Sequence, residues 1–293
     1  MTDRAIIVDR AYQPYEGERR STSWIMWAIV VDGFRKVFGI RRKFTRKLLP
    51  WGVIGMMSMI LAGVVIPAWF IGDQLGDLPL PENAEYFDII SLLPELFIAL
   101  AAPALLVPDR RQGTLAIYLS RPINRAQYLM AKVGALFVLM MFVWLAPQAI
   151  LFTSLASLDG GGFFAYFADN ADVLLAIVGT ALVYFVLHAS LGLFFAATVP
   201  RSGFAAGSYL GTLLIANLLT SSIVENDTGG ERWLGLFAFE QHPRVIRDWF
   251  FDVQTQDYVP TVAGFEPWVS LATVGAIAAI SAIAIWVQYR RLP

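Results

Sequence analysis

The sequence predicts an all-α, polytopic membrane protein with six transmembrane helices preceded by an amphipathic interfacial (elbow) helix. Three observations carry this. Hydrophobic residues make up 57% of the 293 residues and charged ones only 15%, with a mean hydropathy of +0.59, a balance outside that of ordinary soluble domains. The apolar residues gather in runs of about 20, enough at about 1.5 Å per residue to cross about 30 Å of hydrocarbon. The runs show no polar–apolar alternation, and in lipid only helices and closed barrels satisfy the backbone, so these are helices.

Before the first span, residues 1–22 form a polar leader with no apolar core, so no cleavable signal is expected. Residues 23–47 open with about eight apolar residues, too few to span. They then turn amphipathic, with Trp27, Val31, Phe34 and Phe38 on one face and Arg35, Lys36, Arg41 and Arg42 elsewhere. Tryptophans with a basic face suit a helix in the inner headgroup layer. The plainer alternative is a basic flank that only sets topology.

The transmembrane domain is read as 48–293, with spans at Leu48–Ile71, Ile89–Val107, Leu129–Leu155, Leu174–Val199, Phe204–Ile223 and Pro267–Val287. An even number of spans puts both termini on one side. Of the Lys and Arg residues, 19 fall on that side and 3 (Arg232, Arg244 and Arg247) on the other, which also holds Asp73, Asp77, Glu82, Asp169 and Asp252. That asymmetry predicts that both termini are cytoplasmic. The outer loop 224–266 is rich in aromatics, among them Trp233, Phe237, Trp249 and Phe250. Short helices at the outer interface are expected there. Asn226 begins a glycosylation-type triplet, a pattern frequent by chance.

Within the spans, Gly203, Gly207 and Gly211 form a GxxxGxxxG ladder that permits close helix approach, inside one chain or between two. Glu95 follows Pro94 in span 2; it either lines a polar pathway or is a hydrogen-bonded structural glutamate. Pro94, Pro103 and Pro147 predict kinks. The absence of cysteine excludes disulfides, thiolate metal sites and cysteine nucleophiles. No HExxH, paired-carboxylate or Walker A pattern occurs, and the glycines at 160–162 lack a following Lys-Ser/Thr. Neither catalysis, a metal site nor a nucleic-acid partner is therefore expected. The thin exceptions, His188 with Ser208 or Ser190, lack a nucleophile-elbow context.

The stretch between spans 2 and 3 is the most specific. Pro108 is expected to end span 2, and "DRRQGT", "LAIYL" and "SRP" follow. Pro122 forces a turn, and Asn124 with Gln127 makes a capping box for span 3. The loop 108–128 is thus a compact element. Leu115, Tyr118 and Leu119 give it an apolar face at helical spacing, flanked by arginines. Fixed between two spans, that face predicts a docking surface for a soluble protein; the alternative is a loop lying on lipid.

Here the chain resembles the ABC-2 type permease family, the membrane subunits of ATP-binding-cassette transporters. The matching residues are Asp109, Arg110, Gly113, Thr114, Leu115, Ser120, Pro122, Arg125 and Lys132, and "DRAYQPYEGERR" (9–20) is similar to the leader of a bacterial subgroup. Asp109 departs from the family's usual glutamate. The resemblance implies that the loop is the coupling helix, with Tyr118 and Arg121 also facing a cytoplasmic ATPase. It implies a second permease subunit, identical or paralogous, alongside membrane lipids. It implies no cofactor on this chain, with ATP and Mg on the partner ATPase. The implied activity is ATP-driven transport, in the exporting direction for an amphipathic or hydrophobic substrate. The rivals are a proton-coupled carrier using Glu95 and a six-span intramembrane enzyme.

Overall fold

A computed structural model describes residues 21–40, 44–75, 80–224 and 231–291. The leader 1–20, Arg41, Arg42, Asp77 and the triplet at Asn226 lie outside the described residues. In chain order the helices are α1 (Thr22–Val37), α2 (Thr45–Leu75), α3 (Asn83–Ile90), α4 (Leu92–Arg111), α5 (Leu115–Leu119) and α6 (Arg125–Leu158). They continue as α7 (Phe163–Asp169), α8 (Ala171–Thr198), α9 (Ser202–Val224), α10 (His242–Phe250), α11 (Val259–Val262) and α12 (Pro267–Arg290), with a 3-10 helix at Arg232–Phe237. No strand occurs among the described residues. Among the described residues six helices, α2, α4, α6, α8, α9 and α12, are long and apolar enough to cross a membrane.

The most buried span is α4, which sits among α2, α6, α8 and α9, while α12 packs on α8. Two glycines permit the closest approaches. A Cβ on Gly192 of α8 would lie 2.7 Å from Ile98 of α4, and one on Gly33 of α1 would lie 2.8 Å from both Ala135 and Leu105. In the core Phe87 stacks on Tyr184, and Trp144 packs against both at a tilt. The first described residues and the C-terminal helix meet at one end of the bundle: Thr22 Oγ1 donates to the Pro122 carbonyl (3.3 Å) and Arg125 Nη1 to that of Arg290 (3.0 Å). This is the end that carries the basic residues.

The expected bounds of span 2 are corrected. Span 2 begins at Leu92, because Ile89 belongs to α3, and it runs past Pro108 to Arg111. A proline removes one intrahelical N–H bond but leaves its own carbonyl, which here accepts from Gln112 N at 3.0 Å. Asp109 and Arg110 are therefore the last turn of a span, not loop residues. The inward face of α1 is Ile25, Ile29, Gly33 and Val37, whereas the face with Trp27 and Phe34 points outward and only Phe38 of the expected set is buried. The expected amphipathic helix is present: α1 packs against α4 and α6 and turns its tryptophans away from the chain. The helix α7 was not expected; its Phe167 packs edge-on against Phe152 of α6.

The opposite end is closed by the loop 224–266, which does form short helices among its described residues. Most of α10 is buried against α8 and α12. Asp88 of α3 holds Arg247 (2.5 Å) and Arg244 (3.6 Å), and Arg247 also holds Asp248 (2.6 Å) and donates to the Tyr258 hydroxyl (3.0 Å). Burial disfavours the Arg247 cation, but Tyr184, Asp88 and Asp248 outweigh it and hold the guanidinium well above the usual arginine range. Gln241 ties α9 to α11 by donating to Asn217 (2.6 Å) and accepting from Val259 N (2.5 Å).

His242 supplies a pH test of this cap. Its Nε2 faces the Leu236 carbonyl (3.1 Å), which can only accept, so Nε2 carries the proton and Nδ1 accepts from Ser270 Oγ (3.0 Å). Burial lowers its pKa to about 4, against a smaller opposing effect of the Leu236 hydrogen bond. The folded pKa lies below the unfolded value, so the neutral imidazole stabilises the cap fully above about pH 6.5. That contribution falls as pH drops from about 6.5 towards 4. The thermal midpoint in detergent should decline over that window, and His242→Gln should flatten the decline; an unchanged slope would separate His242 from the cap's stability.

Candidate functional site

The basic end of the bundle contains one polar junction, built from α1, the last turn of α4, α5 and the first turns of α6. Two identical chain endings position it. At the end of α4, Thr114 N bonds the Asp109 carbonyl (3.0 Å) and Gly113 N that of Arg110 (3.5 Å), with Gly113 at φ +65°. At the end of α1, Ile40 N bonds the Arg35 carbonyl (3.0 Å) and Gly39 N that of Lys36 (3.3 Å), with Gly39 at φ +62°. These are Schellman endings, which need a residue tolerant of positive φ, hence glycine. The Gly113–Thr114 pair thus fixes how α4 stops and where α5 begins. On the far side, the expected capping box is present: Gln127 N donates to Asn124 Oδ1 (2.8 Å) and Asn124 N to Gln127 Oε1 (2.9 Å).

Asp109 is the hub of the junction and is only 4% exposed. Its Oδ1 lies 3.0 Å from Lys36 Nζ; its Oδ2 lies 2.6 Å from Lys132 Nζ and accepts from the Tyr128 hydroxyl at 2.9 Å. Lys132 is fully buried, and its ammonium sits 5.5 and 5.3 Å from the Tyr118 and Tyr128 ring centroids. Lys36 also pairs with Asp32 at 2.9 Å. Burial disfavours the Lys36 ammonium, but Asp32 and Asp109 outweigh it and hold its pKa above the usual lysine range. Burial and the Asp109 charge raise that of the Tyr118 hydroxyl. One carboxylate therefore ties α1, α4 and α6 together.

Two arginines extend the ties. Arg110 Nη2 donates to the Ala196 carbonyl (3.1 Å) and to that of Val199, at the end of α8. Arg125 meets the Arg290 carbonyl at the end of α12. Cations at helix C-termini satisfy orphan carbonyls and the negative dipole end.

The expected docking face is corrected here. Leu115 is 5% exposed and belongs to the core, and Tyr118 turns its hydroxyl towards Lys36 and Asp32. A short helix between two spans buries its apolar stripe against its own chain. The side of α5 facing away carries Ala116, Ile117, Ser120, Arg121 and Pro122, with Ile117 64% exposed. Sequence reasoning had no reason to select Ile117, which lies between the periodic positions. It also named Lys36 only as part of a basic face; the Asp32–Lys36 spacing of four was the available clue.

Elsewhere, Glu95 is buried and unexposed, with Oε1 4.0 Å from His188 Nε2. His188 Nδ1 meets the Tyr209 hydroxyl at 2.9 Å, so its close partner is Tyr209 and not Ser208, which lies on a cavity wall of α9. Side chains added at Gly203, Gly207 or Gly211 would meet nothing within 4 Å. The ladder therefore does not serve packing within this chain among the described residues.

A family model described as ABC-2 family transporter protein matches residues 70–287, well over half of the chain. No curated protein gives a significant match.

Proposed function

Because this chain belongs to the ABC-2 family of transporter proteins, the membrane components of ABC transporters, we propose that α5 is its coupling helix. Its outward face, centred on Ile117 and edged by Ala116, Ser120 and Pro122, is the surface that meets the partner ATPase. The observation that supports this is mechanical. The short helix is fixed by a Schellman ending on one side and a capping box on the other, and the Asp109 junction and Arg110 and Arg125 join it to α1, α4, α6, α8 and α12. A displacement of α5 reaches four spans without passing through a flexible loop. The gain from ATP closure of the ATPase is then delivered as rigid-body motion of the bundle.

Ile117→Asp should reduce affinity for the ATPase more than tenfold, since loss of a packed apolar anchor costs about 2 kcal/mol and the carboxylate adds an unpaired charge to the interface. The thermal midpoint should not change, because Ile117 is exposed. Retained ATPase binding at wild-type affinity would remove α5 as the docking element. Leu115→Asp is unsuited to this test, because it would damage the core.

The same reading places the junction in the cytoplasm, the outer cap outside the inner membrane, and a second permease copy or paralogue against α9. The open glycine face supports the last point, since close approach of another helix is what such ladders permit. It borders a cleft of about 1010 Å³ lined by Phe195, Phe204, Ile215, Phe237 and Phe239, whose apolar walls suit export of an amphipathic or hydrophobic substrate. ATP and Mg would reside on the ATPase, leaving this chain non-catalytic. Since the chain has no cysteine, single cysteines give clean readouts. Gly207→Cys should crosslink two copies, or this chain to its paralogue, and Trp249→Cys should be labelled only from outside. Labelling of Trp249→Cys from the cytoplasm would invert the topology, and no crosslink at Gly207 would leave α9 facing lipid.

A further inference from the structure

A second cleft, of about 940 Å³, opens beside the junction between α1, the end of α4 and α5. Ile25 and Ile29 of α1, Ala104 and Val107 of α4 and Ile117 of α5 give it apolar walls, and Arg111 and Arg121 line it as well. The charges beside it do not neutralise these arginines. Asp32 and Asp109 are matched by Lys36 and Lys132, whereas neither Arg111 nor Arg121 has an ion pair among the described residues, and both are exposed.

We propose that this cleft is a binding site for an acidic phospholipid of the inner leaflet, with its phosphate between Arg111 and Arg121 and an acyl chain along α4. Geometry and charge both favour this occupant. The cleft follows α4 from Arg111 back to Leu100, about 16 Å of helix, close to the depth of one hydrocarbon leaflet. The exposed Trp24 and Trp27 of α1 mark the headgroup level beside it. Two unpaired guanidiniums at that level attract a phosphate and hydrogen-bond it. The bound lipid would brace the elbow helix against the coupling helix. The inference rests on the cytoplasmic placement of the junction proposed above.

The test uses the full chain, delipidated in neutral detergent and titrated with phosphatidylglycerol or phosphatidylcholine, with bound lipid read by native mass spectrometry. Wild type should bind phosphatidylglycerol at least tenfold more tightly than phosphatidylcholine. The double variant Arg111→Gln/Arg121→Gln should lose about thirtyfold of that affinity, and Ala104→Phe should lower it by filling the apolar wall without a charge change. A charge-matched control, Arg290→Gln/Arg291→Gln, should bind as wild type. Equal binding of the two lipids, an equal loss in the control, or full competition by millimolar inorganic phosphate would overturn the proposal. So would a double variant that keeps its lipid but loses the ATPase, which would assign the arginines to docking. Binding in detergent is independent of orientation, so a negative result with correct labelling of Trp249→Cys removes the lipid site alone.

Discussion

Asp109→Ala should destabilise the bundle by about 3–5 kcal/mol, the usual cost of removing one partner from a buried ion pair. The change leaves Lys132, fully buried, without a counter-ion and sets it close to Lys36. It also removes the acceptor of the Tyr128 hydroxyl. Lys36 keeps Asp32 at 2.9 Å, so the loss falls mainly on Lys132. The double variant Asp109→Asn/Lys132→Met should recover much of the stability, because an apolar replacement of a whole buried pair is often close to neutral. Asp109→Glu, the residue more usual in this family, should keep both ion pairs with only a small loss. The thermal midpoints of these variants in detergent provide the measurement. If Asp109→Ala melts with wild type, or the double variant is no better than the single, the carboxylate is not the hub of the junction.

Arg247→Met should cost a similar amount, about 3–5 kcal/mol, at the other end of the molecule. It leaves the carboxylate of Asp248, 1% exposed, without its ion partner, leaves Asp88 with Arg244 alone and releases the Tyr258 hydroxyl. The outer cap should open while the spans stay inserted. Limited proteolysis from the outer side, cutting between 232 and 262 only in the variant, would show this. Adding Asp248→Asn should restore part of the protection, since it removes the stranded charge. A variant that resists the protease as wild type does would show that the cap is held by apolar packing alone. The two substitutions lie at opposite ends of the bundle and should add when combined.

Much of this was legible in the sequence. The six spans could be read because long apolar runs have one physical explanation in a membrane, and the basic asymmetry picked out the end at which the junction forms. The capping box at Asn124 and Gln127 could be read because its chemistry is local. Pro108 misled, because a proline near a helix end costs one hydrogen bond and the Asp109 and Arg110 contacts outweigh it. Leu115 and Tyr118 misled for a deeper reason. Helical spacing shows that an apolar stripe exists, not whether it faces the chain's own core or a partner, and on a five-residue helix between two spans the core claims it first. The Lys36–Asp109–Lys132 cluster joins residues from three helices, and no local pattern brings them together. The glycine ladder left packing within one chain or between two open, and the empty space beside Gly207 speaks only against the first.

The central claim is that the outward face of α5 meets the ATPase that drives this permease. A photo-crosslinking residue placed at Ile117 in the full chain, in native membranes, tests it most directly. Illumination should join the chain to a soluble subunit carrying a nucleotide-binding P-loop, while the same probe at Phe142, exposed on the bundle wall, should join it to lipid. Lipid at both positions, with no ATPase captured at Ile117, would contradict the account.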